Sequence, residues 1–193
     1  MVDIPECLEV IPMNPNKLIY DWNVIDYEIN RNPANHPHEV WFDDETLRDG
    51  LQSPSARNPS IEQKIELLSY MERLGIQKVD LGLPGAGPFH REHISAMLSH
   101  ISEHDYQIRP GAAVRTLMHD IEPLVKMQQE HGMEIQASAF LGTSPIRQYT
   151  EGWTMEKLIS TMEKAVSYAV ENEVPVMFVT EDTTRSNPED VKA

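Results

Sequence analysis

Cys7 is the only cysteine in a chain of 193 residues. A lone thiol excludes an internal disulfide framework and suits a reducing compartment. Basic residues are thin as well: 16 Lys+Arg stand against 31 Asp+Glu, a formal net charge of −15. Binding nucleic-acid phosphates needs a basic face, so a nucleic-acid partner is not expected. No apolar run approaches the ~20 residues of a membrane helix, so no membrane partner is expected either. The opening Met1-Val2-Asp3-Ile4-Pro5-Glu6 lacks the basic start and apolar core of a secretion signal,. Together these absences predict a cytoplasmic protein. What remains is a globular composition, 40% hydrophobic and 24% charged, with enough Ile, Leu, Val and Met for a sizeable core,. The length bounds the fold to one large domain or two small ones.

The chain divides near residue 40. Residues 1–39 are punctuated by Pro5, Pro12, Pro15, Pro33 and Pro37, with several Asn between them. Proline fixes φ and removes a donor, so this stretch reads as an irregular leader wrapping a domain. Beyond it, strand-length apolar runs occur at Val40-Trp41-Phe42, 78–81, 108–114, 134–141 and 174–180,. Amphipathic stretches lie between them. The first carries Ile61, Ile65, Leu68, Met71 and Leu74, with Ser60 and Gln63 spaced as a capping box and Gly75 as the stop,. The second carries Ile94, Met97, Leu98 and Ile101. A third carries Ile121, Leu124 and Val125 and ends at Gly132; the fourth starts near Thr154 and carries Leu158, Met162, Val166, Ala169 and Val170.

Strand and helix alternate four times and a fifth strand follows, a βα rhythm that predicts a parallel sheet with helical crossovers. An open doubly wound sheet and a (β/α)₈ barrel both fit that rhythm. No glycine-rich dinucleotide fingerprint follows the first strand. Each strand ends instead in polar residues: Asp43-Asp44-Glu45-Thr46, Asp80, Arg115-Thr116, Thr143-Ser144 and 181–185. Polar groups at the C-terminal ends of many strands are what a barrel active site requires, so the predicted fold is an α/β TIM barrel with about five βα units in residues 40–193. Ser186-Asn187-Pro188-Glu189 reads as a helix start just before the last residues, and open edges on a five-stranded barrel predict a longer chain,.

Residues 42–54 concentrate the chemistry. Ionisable groups directly after a central strand need partners, a metal or a substrate. A carboxylate such as Asp49 can hold a hard divalent cation, and the neighbouring Arg48 can steady oxyanion charge. On spacing alone, a structural ion pair is an equal reading.

Thr46-Leu47-Arg48-Asp49-Gly50-x-Gln52 resembles the first-strand signature of the DRE-TIM metallolyases, the group of 2-isopropylmalate synthase, homocitrate synthase and 3-hydroxy-3-methylglutaryl-CoA lyase. Leu81-Gly82-Leu83-Pro84 resembles their second-strand Gly-x-Pro segment. Thr143-Ser144-Pro145 resembles the fourth-strand motif of the synthases, and Glu181-Asp182-x-x-Arg185 the fifth-strand one. The resemblance implies a barrel with one divalent metal (Mg, Mn or Zn) at its C-terminal mouth. It also implies condensation of acetyl-CoA with a 2-oxo acid. By the same resemblance Asp49 is a metal ligand, Arg48 polarises the keto oxygen, and Glu181 is a carboxylate beside the substrate. Gln52, Arg115, Thr143, Arg147 and Thr184 are candidates for substrate contact, and a homodimer is implied for the full-length protein.

Departures from the pattern leave the substrate open. Leu51 stands where the lyase carries Leu and the synthases usually carry an acid or polar residue, so lyase-type carbon–carbon cleavage is the alternative. Arg147 stands where many synthases place His. The family's other two metal ligands, a His-x-His pair on the seventh strand, would fall beyond Ala193, so an inactive remnant without a complete metal site is a third reading. His36-Pro37-His38 has the same spelling but precedes the first strand, which predicts a solvated turn away from Asp49. His100 and His104 are predicted to be solvated helical residues. His90 and His93 open the second helix near the mouth, as coenzyme contacts or surface polar groups. Arg115 is balanced between substrate contact and structural pairing.

Overall fold

A computed structural model of the chain describes residues 40–193, together with Leu18. The rest of the proline-rich leader, and His36-Pro37-His38 with it, lies outside the described residues. Five strands, β1 (Asp43–Asp44), β2 (Lys78–Asp80), β3 (Arg109–Arg115), β4 (Gln136–Gly142) and β5 (Val176–Glu181), form one parallel sheet in the order β1-β2-β3-β4-β5. That order decides between the two architectures. A doubly wound sheet reverses direction at a switch point, whereas strands added strictly in chain order build the wall of a barrel. The sheet is half of such a wall, with helices packed on one face.

The helices begin and end where their capping residues stand. α1 (Ile61–Leu74) starts at Ser60, whose hydroxyl accepts from the Gln63 amide at 3.4 Å while Gln63 Oε1 accepts from the Ser60 amide at 3.0 Å. This is the reciprocal capping box, and Gly75, left-handed at φ 76°, ends the helix,. α2 spans Pro88–Glu103 and α3 spans Met118–His131, the latter closed by Gly132 at φ 58°. α5 (Met155–Glu171) starts at Thr154, whose hydroxyl accepts from the Lys157 amide, and α6 (Pro188–Lys192) starts at Asn187 as its sequence predicts.

Two elements differ from the sequence reading. The first strand is Asp43–Asp44 and not Val40-Trp41-Phe42, whose three side chains are exposed. Phe42 still accepts the Lys78 amide through its carbonyl, but the ring of Trp41 lies under the Arg109 guanidinium at 4.4 Å, outside the core. α4 (Pro145–Glu151) is a seven-residue helix absent from the sequence reading. Ser144 caps it, Pro145 occupies its first position and Gly152 ends it,.

The core lies between sheet and helices. Val79, Leu81, Ala112, Val114, Ala137 and Ala139 point into it from the sheet, against Leu68, Ile94, Met97, Leu98, Ile121, Leu124 and Ala165 from the helices. Side chains alternate along a strand, so Asp80 and Ala113 on their strands, and Ser138 on β4, take the other face, the barrel interior. The register pairs Gly142 with Glu181 and Arg115 with Phe140, and so aligns the strand ends at one rim.

Candidate functional site

The first cluster forms where β1 and β2 end. The chain turns tightly after β1, with the Arg48 and Gly50 amides both donating to the Glu45 carbonyl at 3.1 Å. The turn brings Arg48 among three carboxylates: Nη2 pairs with Glu45, Nη1 stands 3.5 Å from Asp49 Oδ1, and Nε stands 3.4 Å from Asp80 Oδ2. Asp80 is buried. Its other oxygen accepts from the amides of Gly82 at 2.9 Å and Ala113 at 3.3 Å. Burial pushes the Asp80 carboxyl up to about 6, against the opposing pull of the Gly82 amide, Arg48 and the Ala113 amide,. Asp80 appears in the sequence reading only as a strand-end polar residue. The signal that marks it is an acid set between the apolar Val79 and Leu81.

The second cluster surrounds a cavity of about 290 Å³ at the ends of β3, β4 and β5. Arg115, Arg147 and Glu181 line it together with Lys157, Phe140 and Trp153. Gly142 makes the room. A Cβ there would stand 3.1 Å from Arg147 Cγ and 3.5 Å from Glu181 Oε2. Arg147 projects from the first turn of α4, with Nε 3.6 Å from Glu151 and its guanidinium 5.6 Å from the Trp153 ring centre. Lys157 sits in the first turn of α5, where the helix dipole disfavours a cation,. That misplaced charge is the sequence signal for it, and the sequence reading missed it.

The remaining candidates fall differently. Arg115 is held by structural pairing: Nε and Nη2 donate to the two oxygens of Asp120 at 2.6 and 2.8 Å, and its amide donates to the same carboxylate at 3.1 Å. Asp120 is fully buried, and its hydrogen bond strengthens the hold of Arg115 on its proton. Thr143 is buried and donates to Ser186 Oγ at 2.9 Å, and is not among the residues around the cavity. Thr184 is exposed on the 3-10 turn Thr183–Arg185. Gln52 lies with Arg48 on a separate cavity that also receives His90 and His93. His100 and His104 stack at 3.9 Å, and His100 Nε2 lies 3.3 Å from the Tyr106 hydroxyl.

Asp49 offers one carboxylate, 66% exposed at its side chain. Among the described residues no three His, Cys, Asp or Glu side chains come together to hold a metal ion. One carboxylate does not make a tight divalent site, so the described residues by themselves do not fit the metal that the family resemblance implies. No described helix is long and apolar enough to cross a membrane.

A parallel barrel wall with charged side chains gathered at the C-terminal rim defines a TIM-barrel type of site. The family model named HMGL-like matches residues 39–193, and the chain belongs to that family. Among curated relatives, 2-isopropylmalate synthase of Sediminispirochaeta smaragdinae is 29% identical over 154 residues, covering 79% of this chain and 29% of the relative. That of Lactococcus lactis subsp. cremoris is 30% identical over 152 residues (78% and 28%), and that of Microcystis aeruginosa 32% over 155 residues (79% and 28%). The chain thus spans less than a third of the length of these relatives.

Proposed function

We propose that the site serves a Claisen-type condensation of acetyl-CoA with a 2-oxo acid. The observation that carries the reading is Arg48, buried at its Nε and fixed by Glu45, Asp49 and Asp80 at the same rim as the cavity of Arg147 and Glu181. The acetyl methyl group loses a proton, and the enolate carbon forms the new bond to the keto carbon. The keto oxygen takes the displaced electron pair as an alkoxide. Arg48 meets that charge, which exists only near the transition state, and so lowers the barrier rather than merely tightening binding. Arg147 and Lys157 attract the substrate carboxylate into the cavity. Glu181, beside them, orients the reactant or carries its proton. The alkoxide is then protonated and water cleaves the thioester, releasing CoA. Asp49 keeps its place as the residue matching the family's first-strand metal ligand.

Release of free CoA thiol tests the reading. The chain should release CoA only when acetyl-CoA and a 2-oxo acid are both present, and Arg48→Met should slow it by about 10²–10³-fold. Cleavage of a 3-hydroxy-3-methylglutaryl-CoA type substrate without condensation would move the assignment to the lyase. Release unchanged by Arg48→Met, or none at all from the unmodified chain, would overturn it.

A further inference from the structure

The cavity on which Arg48 and Gln52 open has a volume of about 340 Å³ and runs between the first turns of α1 and α2. Its innermost cation is Lys64, the fourth residue of α1, which is only 4% exposed. The Lys64 side chain makes no hydrogen bond or ion pair with any described residue. Its ammonium lies 5.9 Å from the Phe89 ring centre, and Phe89 packs on His93 at 4.1 Å. His93 adds a second unmet demand, because its Nδ1 is buried without a hydrogen-bond partner among the described residues. Glu62 and Glu92, the acids that act on His93, are exposed to solvent. A chain of net charge −15 has therefore left a cation with little access to solvent near two helix N-termini, and no acid among the described residues meets it. An unpaired charge that reaches solvent only through this cavity is poorly hydrated, and the helix dipoles add to the cost. An anion entering the cavity would relieve all three at once.

We infer that Lys64 and His93 form a carboxylate subsite, which takes the far end of a short acid-tailed molecule whose near end lies at Arg48. Leu47, Leu51, Leu81 and Leu83 line the space between with apolar surface, as a short carbon chain requires,. The inference rests on the proposed function only in taking Arg48 as the group at the reacting end.

Calorimetric titration of the full chain with glutarate and with pentanoate, in the absence of acetyl-CoA, tests it. The two probes share a five-carbon chain and differ in the second carboxylate. Glutarate should bind at least about ten-fold more tightly, the worth of one charge-assisted hydrogen bond. Lys64→Met should abolish that preference and, with the unpaired cation gone, raise the melting temperature of the unliganded chain. Lys64→Gln keeps a polar end of similar length and should abolish the preference in the same way, which covers a failure of Lys64→Met to fold. Equal binding of the two probes by the unmodified chain, or a preference that survives both substitutions, would overturn the subsite. A Lys64-dependent preference in a chain that releases no CoA would keep the subsite and remove the condensation.

Discussion

Arg48 and Asp80 meet through Nε and Oδ2 at 3.4 Å, and neither atom has another partner among the described residues. The contact lacks hydrogen-bond geometry, so these two buried atoms are joined by charge alone,. The Asp80 carboxyl, pushed from 3.8 up to about 6, therefore binds its proton more readily in the folded chain than in the unfolded one. Stability from that proton is complete below the unfolded value and is lost as pH rises through about 6. The shift corresponds to about 3 kcal/mol. Asp80→Asn, neutral at every pH, should gain on the unmodified chain by an amount of that order between about pH 4 and pH 7. Urea unfolding across that range measures the difference. A difference that stays flat with pH would mean that Asp80 is not the titrating group.

Gly142 separates Arg147 from Glu181 by having no side chain. Gly142→Ala should push the Arg147 stem out of the cavity, since the flexible arginine yields more easily than the strand,. The expected result is a 2-oxo acid affinity about ten-fold weaker, matching Arg147→Met, with melting temperature little changed. Glu181→Gln should act differently, lowering kcat more than it raises KM, because orientation and proton transfer are felt at the barrier. Steady-state CoA release on the three variants separates these outcomes.

The fold was largely legible because its signals are local. Ser60 with Gln63, the glycines at 75 and 132, and Thr154 each act on the nearest turn, and the helices stop and start there. Val40-Trp41-Phe42 reads as a strand because it is apolar, but apolar character does not secure burial, and Trp41 meets the Arg109 guanidinium instead. α4 was hidden because seven residues give too little periodicity to read, and its cap lies inside a motif read for its chemistry. At the site, Arg48, Arg115, Arg147 and Glu181 stand at the rim where their strand ends predict. The role of Asp120 was not legible, because only the turn after β3 brings its carboxylate under Arg115. Lys64 was equally hidden, since an amphipathic period marks a lysine as solvent-facing by default.

The α1 cap can be tested apart from the chemistry. Ser60→Ala removes the oxygen that accepts the Gln63 amide and leaves that donor to solvent. The expected loss is about 1 kcal/mol. Urea unfolding should show it with an unchanged slope, because the exposed area on unfolding is the same. A loss well above that would mean that the cap also fixes the loop carrying Asn58 into the cavity beside Arg48.

Asp120 is the hinge between two strand-end loops. It takes both donors of Arg115 and stands 3.1 Å from His119 Nε2, while Gly85 of the loop after β2 approaches so closely that any Cβ there would strike the carboxylate. Gly85→Ala should therefore destabilise by about 1–3 kcal/mol, the range for forcing extra volume into a packed place. Asp120→Ala should cost about 1–3 kcal/mol, because it leaves the Arg115 amide without its acceptor while the half-exposed guanidinium turns to solvent,. If the carboxylate is the shared cause, the two losses overlap. Gly85→Ala added to Asp120→Ala should then cost almost nothing more, since the group it would strike is gone. Unfolding free energies of the two single variants and the double variant decide this. Full additivity would mean that the loop after β2 and the turn after β3 are held independently, and that Gly85 is required for some other contact.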